Sequence, residues 1–429
     1  MKIPHRLKKV HFVSAAEKMT SFSGLKLTTD LAVRLGITAG LKRLAVKERR
    51  RGIPIEDFVM SVVDNFLVGG DSLSDLAVLR SETATRAAIY GLEVPAPTTA
   101  GETLRKFSVG NIRQMESVIR HATLEAEGRI CGDGAPITLD LDSSIFEVHG
   151  YLKEGARYGY TGEKGLHPLL CFWSERRLLI GARLRAGNRT SNDGAESFIS
   201  ECLGRLPAGR RVRIRFDAGF YSRFIVQRCL DRGVEFSISA PQTKPLVKRI
   251  LAVKEAQWKK YPWEDGAEYA EFKYQPSNWP KAFRLVVKRT AFFEKDQRVI
   301  GQYFYTAMIT NRVGAGASLL KFHLGRGGAE NFIEEFKNGL GARVMPSQKF
   351  VANWAWLVIA QLAYNLAQWF KLLVLPAAEQ PRQLKALRLH WFCVAARVIR
   401  TGRRFVLALA RGPDEVAAFA RAHELILAL

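Results

Sequence analysis

Ile137-Thr-Leu-Asp-Leu-Asp-Ser-Ser144 alternates apolar and polar side chains with the period of two that a β-strand imposes. Ile137, Leu139 and Leu141 fall on one face, while Thr138, Asp140 and Asp142 share the other. Two carboxylates on one face of an apolar strand are costly to place together unless a cation or solvent neutralises them. The strand therefore reads either as an exposed face with two solvated acids or as one wall of a cation site.

Outward from this stretch the same period continues. It runs over Ile137 to Val148 and returns at 169–173, 178–184, 211–218 and 234–240. Helical patterns at 194–206 and 222–232 separate the later strands. Three strands in succession, then helix, strand, helix, strand, is the ordering of an α/β ribonuclease-H-like core. Residues 241–311 break the alternation with short aromatic-rich strands that include Trp258, Trp263, Trp279, Tyr303 and Tyr305, and read as a β-rich insertion. Helix returns from Leu319 to the end, with a break near Leu375-Pro376. The expected organisation is a helical DNA-binding region at 1–130, the first part of the core at 131–240, the insertion at 241–311, the second part of the core at 312–375, and a helical region at 376–429.

The charge is lopsided. The 429 residues hold 65 Lys and Arg against 41 Asp and Glu, a net +24, while 47% hydrophobic content is ordinary for a chain that buries a core. Such an excess favours a polyanionic partner, most often nucleic acid, and argues against an acidic solvating protein or a small-metabolite enzyme. The first 51 residues carry thirteen of the cations against three acids. Within them Ala32, four residues before Gly36, has the spacing of a helix-turn-helix, with Lys42 and Arg43 just beyond as candidate DNA contacts. A second candidate is Pro97-Thr-Thr-Ala-Gly-Glu-Thr-Leu-Arg-Lys-Phe107, a helix start that presents Arg105 and Lys106 for phosphate contact. Plain helical hairpins and solvated surface helices give the same patterns, so both readings stay open.

Five scattered cysteines without a Cys-x-x-Cys pair argue against disulfides and zinc knuckles and read as reduced thiols. Met1 to Thr20 lacks the apolar core of a secretory signal. The long apolar stretch Val351–Leu375 is interrupted by Gln361, Asn365 and Gln368 at i, i+4, i+7, a narrow polar stripe on a helix otherwise buried, and no membrane partner is expected.

Two further stretches carry acids. Val212-Arg-Ile-Arg-Phe-Asp217 is a strand with Asp217 at its carboxyl end, where ligands gather in open α/β sheets, followed by the turn Ala218-Gly-Phe-Tyr-Ser222. An Asp there also serves as a simple helix cap. In His323-Leu-Gly-Arg-Gly-Gly-Ala-Glu-Asn-Phe-Ile-Glu-Glu-Phe-Lys337, helical spacing gathers His323, Arg326, Glu330 and Lys337 on one face. Phe332, Ile333, Phe336 and Leu340 form the opposite, buried side. Glutamate flanked by cations suits a metal with DNA phosphates beside it, though a solvated face of ion pairs has the same pattern. The Gly325-Arg-Gly-Gly328 run delays the regular helix to about Ala329.

Arg326-x₃-Glu330-x₆-Lys337 resembles the Tyr-Arg-Glu-Lys signature of one branch of bacterial insertion-sequence transposases of the DDE type. Asp217-Ala-Gly-Phe-Tyr-Ser222 resembles that branch's second-aspartate motif, and Asp140-Leu-Asp142-Ser-Ser its first. The stretches Tyr158–Leu170 and Leu184–Ala195 are similar to the family as well. His323 stands where the signature has tyrosine. Asp142, directly before Ser143-Ser144, matches the first acid better than Asp140.

The resemblance implies an enzyme of the bacterial cytoplasm, associated with the nucleoid, that binds terminal inverted repeats of a mobile element, cleaves its ends and joins them to target DNA. It implies Asp142, Asp217 and Glu330 as catalytic acids and metal ligands for two Mg²⁺ or Mn²⁺ ions, with Arg326, Lys337 and His323 on DNA. It also implies a homodimer in a synaptic complex. Excision through a hairpin would need a flipped base, for which Trp258, Trp263 and Trp279 are candidates, though each taken alone reads more readily as a core or packing residue. Arg397, Arg400, Arg403, Arg404 and Arg411 serve either dimerisation or DNA. Two alternatives differ in class: a nuclease on the same core without strand transfer, and a catalytically silent DNA-binding relative.

Overall fold

The computed structural model describes residues 18–47, 52–82, 91–130, 134–150, 152–159, 162–294, 297–402 and 404–429, with side chains left out at 292–294 and 297–302. The basic residues before Lys18, those at 49–51, Cys131 and Arg403 lie outside the described residues.

Helices come first. After a two-residue strand β1 (Met19–Thr20) follow α1 (Leu25–Arg34), α2 (Ile37–Leu41), α3 (Ile55–Val68), α4 (Leu76–Ser81), α5 (Pro97–Leu104) and α6 (Val109–Arg129). Gly36 joins α1 to α2 at φ +71°, the left-handed turn expected from its place four residues after the buried Ala32. The hairpin is tight. A Cβ on Gly40 would sit 2.8 Å from Val118 of α6, so α2 is wedged against its neighbour. At five residues α2 is shorter than a helix that reads a DNA groove, which favours the plain-hairpin reading for this element.

The strand at 137–144 then enters the middle of a nine-stranded sheet. In chain order come β2 (Ile137–Ser143), the short β3 (Phe146–Glu147), β4 (Arg157–Tyr158) and β5 (Lys164–Leu166), then β6 (Leu169–Trp173) and β7 (Leu178–Arg183). Helix α7 (Ala195–Leu203), β8 (Val212–Phe216), α8 (Arg223–Asp231) and β9 (Glu235–Ser239) follow. From β6 onward these bounds lie within three residues of the periods read from sequence, while β2 stops at Ser143, five residues short of the Val148 expected. β2, β6 and β7 are antiparallel neighbours, while β8 and β9 lie parallel to β2 on its other side. β3, β4 and β5 form a separate small sheet. Ile137 to Leu141 are all buried, because helices cover both faces of a parallel pair.

Residues 241–311 do not stand apart. After α9 (Lys244–Leu251) come β10 (Lys259–Lys260), β11 (Ala267–Tyr274), β12 (Phe283–Glu294) and β13 (Gln297–Thr310). β13 pairs antiparallel with β9, Ile309 against Ile238, so the added strands lengthen the central sheet to the order β10-β11-β12-β13-β9-β8-β2-β6-β7.

The chain then forms α10 (Gly316–Leu324), α11 (Gly327–Glu334), a wide five-residue turn (Glu335–Gly339) and the 25-residue α12 (Phe350–Val374). α12 is apolar and long enough to cross a membrane, but 89% of its apolar window is buried inside the protein. Its polar stripe has a definite partner. β7 is the last strand of the sheet, and the Asn365 amide meets the outward peptide groups of Leu179, accepting from its N–H at 2.8 Å and donating to its carbonyl at 2.9 Å. Gln361 donates to the same carbonyl at 2.7 Å. Asn365 and Gln361 thus satisfy the edge peptide groups at Leu179.

The C-terminal region departs from the all-helical expectation. After α13 (Leu384–Leu387), β14 (Ala396–Thr401) and β15 (Arg404–Leu409) form a hairpin, β1 adds to it, and α14 (Pro413–Ala428) follows. Arg397-Val-Ile-Arg-Thr and Phe405-Val-Leu favour extended backbone, and Gly402 at φ +60° supplies the turn.

Candidate active site

β2 and β8 are parallel and in register, Leu141 beside Phe216. The next residue on each strand is an aspartate, so Asp142 and Asp217 emerge side by side at the carboxyl ends. The Asp142 Oδ1 accepts from the Ser143 N–H at 2.7 Å, and the Asp217 Oδ1 accepts from the Gly219 N–H at 2.9 Å. Gly219 is required by crowding: a Cβ would stand 2.8 Å from the Ser191 Oγ. Ser191 in turn meets the Ser143 hydroxyl at 2.9 Å, linking the two strand ends. The loop bearing Ser191 is fixed from below by the buried Arg185, whose Nη1 donates to the carbonyls of Thr190 and Asp193, both at 2.7 Å.

α11 supplies the third acid, and the residues at its two ends supply the cations: Arg326 just before it and Lys337 in the turn after it. Arg326 Nη1 donates to Asp142 Oδ2 at 2.8 Å, and its Nη2 lies 3.9 Å from Glu330 Oε1. Burial alone would lower the Arg326 pKa, but the charges of Asp142, Asp217 and Glu330 outweigh it and raise it. Burial, and after it the Asp142 charge, push the Asp217 carboxyl above the usual carboxylate range, with Arg326 pulling the other way. One guanidinium thus contacts Asp142 and Glu330 and acts on Asp217 through its charge. Lys337 Nζ donates to Ser144 Oγ at 3.2 Å beside them. Phe336 and Leu340 are buried as expected, while Phe332 and Ile333 are only partly so.

Asp140 behaves differently from Asp142. It is 0% exposed and gripped at both oxygens by Arg215, at 2.6 and 2.7 Å. The two acids of the strand are thus each neutralised by an arginine, one sealed inside and one at the surface.

His323 requires a correction. Expected on the face with Arg326, Glu330 and Lys337, it is instead 3% exposed and held between the hydroxyls of Ser237 and Ser239, both at 2.9 Å. Gly325 and Arg326 interrupt the helix between α10 and α11, which breaks the angular phase on which that expectation rests. Burial, then Arg326 and Arg215, lower its pKa to about 3. An imidazole that must stay neutral when folded, but protonates near 6.5 when unfolded, costs stability as pH falls through 6.5 toward about 3. The loss should reach up to about 1.4 kcal/mol per pH unit in that window, and urea unfolding of His323→Gln should show a shallower acid slope.

The N-terminal candidates lie outside this cluster. Lys42, Arg43, Arg105 and Lys106 are all exposed on the helical region, with Arg43 lining a cleft beside Arg120 and His121. Trp258 and Trp279 are buried, Trp258 under the Arg289 guanidinium at 4.3 Å and Trp279 against Tyr221 at 4.7 Å. Of the three tryptophan candidates, Trp263 alone is exposed.

A family model described as "Transposase DDE domain group 1" matches residues 3–429. The chain belongs to the DDE transposase family. No curated protein matches it in sequence. Among solved structures it is similar to a piggyBac transposase synaptic complex with hairpin DNA, at 12% identity and TM-score 0.46, covering 88% of this chain and 82% of that one.

DDE transposases generally use divalent metals, and the donor set here fits such an ion. Arg326 meets two of the three carboxylates, Asp142 at 2.8 Å and Glu330 at 3.9 Å, and oxygen-only donors suit Mg²⁺ or Mn²⁺ over zinc. Among the described residues no three acidic, His or Cys side chains stand as a ready metal cluster. The reason is visible: the Arg326 guanidinium lies among the acids, and the Glu330 side chain is 71% exposed. Reading this transposase from sequence missed Arg215, Ser191 and the role of Arg185. Arg215 does follow the strand's alternation at a cross-strand position to Asp140, a signal that only the pairing register makes legible.

Proposed function

We propose that this DDE transposase binds the terminal inverted repeats of its mobile element, cleaves them by divalent-metal-dependent phosphodiester chemistry, and joins the freed ends to target DNA. It would belong to the Tyr-Arg-Glu-Lys branch of the bacterial insertion-sequence enzymes and act at the nucleoid as a homodimer. The single observation that carries the chemistry is the pair of parallel, in-register strands that carry Asp142 and Asp217 at their carboxyl ends, with Arg326 reaching from Asp142 to Glu330 beside them. The ribonuclease-H-like reading of the core is supported by the strand order β7-β6-β2-β8-β9, three antiparallel strands then two parallel ones.

Asp142, Asp217 and Glu330 would hold two Mg²⁺ or Mn²⁺ ions. When bound, the metal supplies charge neutralisation at the attacking and leaving oxygens of the phosphodiester. The chain's own residues do the rest. The Gly219 amide and the Ser143–Ser191 contact orient the two aspartates. Arg326, now on Asp142, and Lys337, beside Ser144, would each meet a DNA phosphate. Asp142 is favoured over Asp140 as the first acid, because Asp140 has no oxygen free of Arg215.

The test is cleavage and joining of a duplex that carries the inverted repeats flanking the gene. Cleavage without joining to a second duplex would favour the nuclease reading. Binding without cleavage in Mg²⁺ or Mn²⁺ would favour the silent relative. Arg326→Ala and Lys337→Ala should each weaken binding to that duplex and lower the slope of log affinity against log salt by about one. Filter binding between low and physiological salt measures it, and an unchanged slope assigns these cations to the solvated face.

A further inference from the structure

We propose that the buried Asp140–Arg215 pair is a positioning device that sets α11, with Arg326 and Glu330, against the two strand-end aspartates; this rests on the acid site proposed above. Asp140 lies two residues before Asp142 on β2, and Arg215 two residues before Asp217 on β8. The two are direct cross-strand partners, so the pair stands one pleat below the aspartates.

Arg215 uses both edges of its fork. Nε and Nη2 grip the Asp140 oxygens at 2.6 and 2.7 Å, Nη2 also reaches the Ser174 hydroxyl at 3.0 Å, and Nη1 donates to the Phe322 carbonyl at 2.8 Å. Phe322 is in the last turn of α10, where carbonyls lack helical partners and a cation is favoured. Its ring also lies 5.1 Å from the guanidinium. The turn that redirects the chain into α11 is built on the same group: a Cβ on Gly325 would stand 2.8 Å from Arg215 Nη1. Sheet and helix are thus tied through one planar group, four residues from Arg326.

Stability does not require this arrangement. A buried ion pair is commonly replaced by apolar residues without loss of folding, and a lysine cannot reproduce a planar fork with separate partners on two edges. The pair's distinctive product is the placement of α11 relative to β2 and β8.

The test uses Mn²⁺ binding, followed by electron paramagnetic resonance on the full chain, and amide exchange over residues 322–334. Arg215→Lys should weaken Mn²⁺ binding about tenfold or more and speed exchange in that segment, with β6 and β7 unchanged. The double variant Asp140→Leu/Arg215→Met keeps the volume apolar and should fold, yet show the same weakened Mn²⁺ binding. A folded double variant with wild-type Mn²⁺ affinity overturns the proposal, as does loss confined to melting temperature in Arg215→Lys. Asp217→Asn is the control: if it binds Mn²⁺ as the wild type does, the acid-site reading itself fails, whatever Arg215 does.

Discussion

Asp217→Asn should lower metal-dependent cleavage of element-end DNA by at least about a thousandfold, roughly 4 kcal/mol of transition-state stabilisation, while leaving affinity for that DNA within about twofold. The substitution removes one negative charge and little else. The amide oxygen still accepts from the Gly219 N–H, so the turn after β8 persists. Glu330→Gln is cleaner still, because the side chain is 71% exposed and its one ion pair is long, at 3.9 Å. Asp142→Asn should be equally inactive but less innocent, since it also loosens Arg326.

Acid should reproduce the loss reversibly. The Asp217 carboxyl is raised above the ordinary range, so it takes up a proton, and stops serving as a metal ligand, at a higher pH than an exposed aspartate would. Cleavage should therefore fall as pH drops through that raised value. In Asp142→Asn the neighbouring charge is gone, so the Asp217 carboxyl should take up its proton at a lower pH, while Mn²⁺ binding, one ligand short, is weakened throughout. Single-turnover cleavage and Mn²⁺ titration across pH 4 to 8 measure both, and full cleavage by Asp217→Asn would sink the acid-site reading.

Much of the sheet was legible because strand and helix periods are local. The alternation at Ile137–Leu141 and Val212–Phe216 depends on a few consecutive residues, and the turn at Asp217-Ala-Gly-Phe220 signals its own end. The C-terminal hairpin was not legible in that way. Residues 396–409 read as helix because the surrounding residues are helix formers, and β14 is completed by β1 from the far end of the chain.

The candidate site shows the same division. Asp217 was legible because it ends a strand, Asp142 because alternation sets it on one face with Asp140 directly before Ser143-Ser144, and Glu330 because of its spacing from Arg326 and Lys337. His323 failed because a phase argument assumes an unbroken helix, and the chain turns at Gly325-Arg326. Trp258 and Trp279 take the packing role that stood as the alternative for each. Whether an aromatic is buried depends on partners such as Arg289 and Tyr221, which are distant in sequence.

Asn365→Leu should destabilise the protein by about 2–4 kcal/mol. An apolar residue would match the neighbours Leu362, Leu366 and Trp369, so hydropathy alone predicts a gain or no change. The structure predicts the opposite. Asn365 is 0% exposed and pairs with both peptide groups of Leu179, so leucine leaves the Leu179 N–H buried without its partner at 2.8 Å. Gln361 retains the carbonyl, and for the same reason Gln361→Leu should cost less, since Asn365 still donates to it. Urea unfolding measures the ranking, and amide exchange at Leu179 should rise most in Asn365→Leu. The consequence extends beyond stability. β7 is the sheet's outer strand, two places from the β2 strand that carries Asp142, and a freed edge invites pairing between chains. Asn365→Leu should therefore aggregate more readily on warming than Gln361→Leu. Equal stability and equal solubility of the two variants would mean that α12 covers the edge by apolar packing alone.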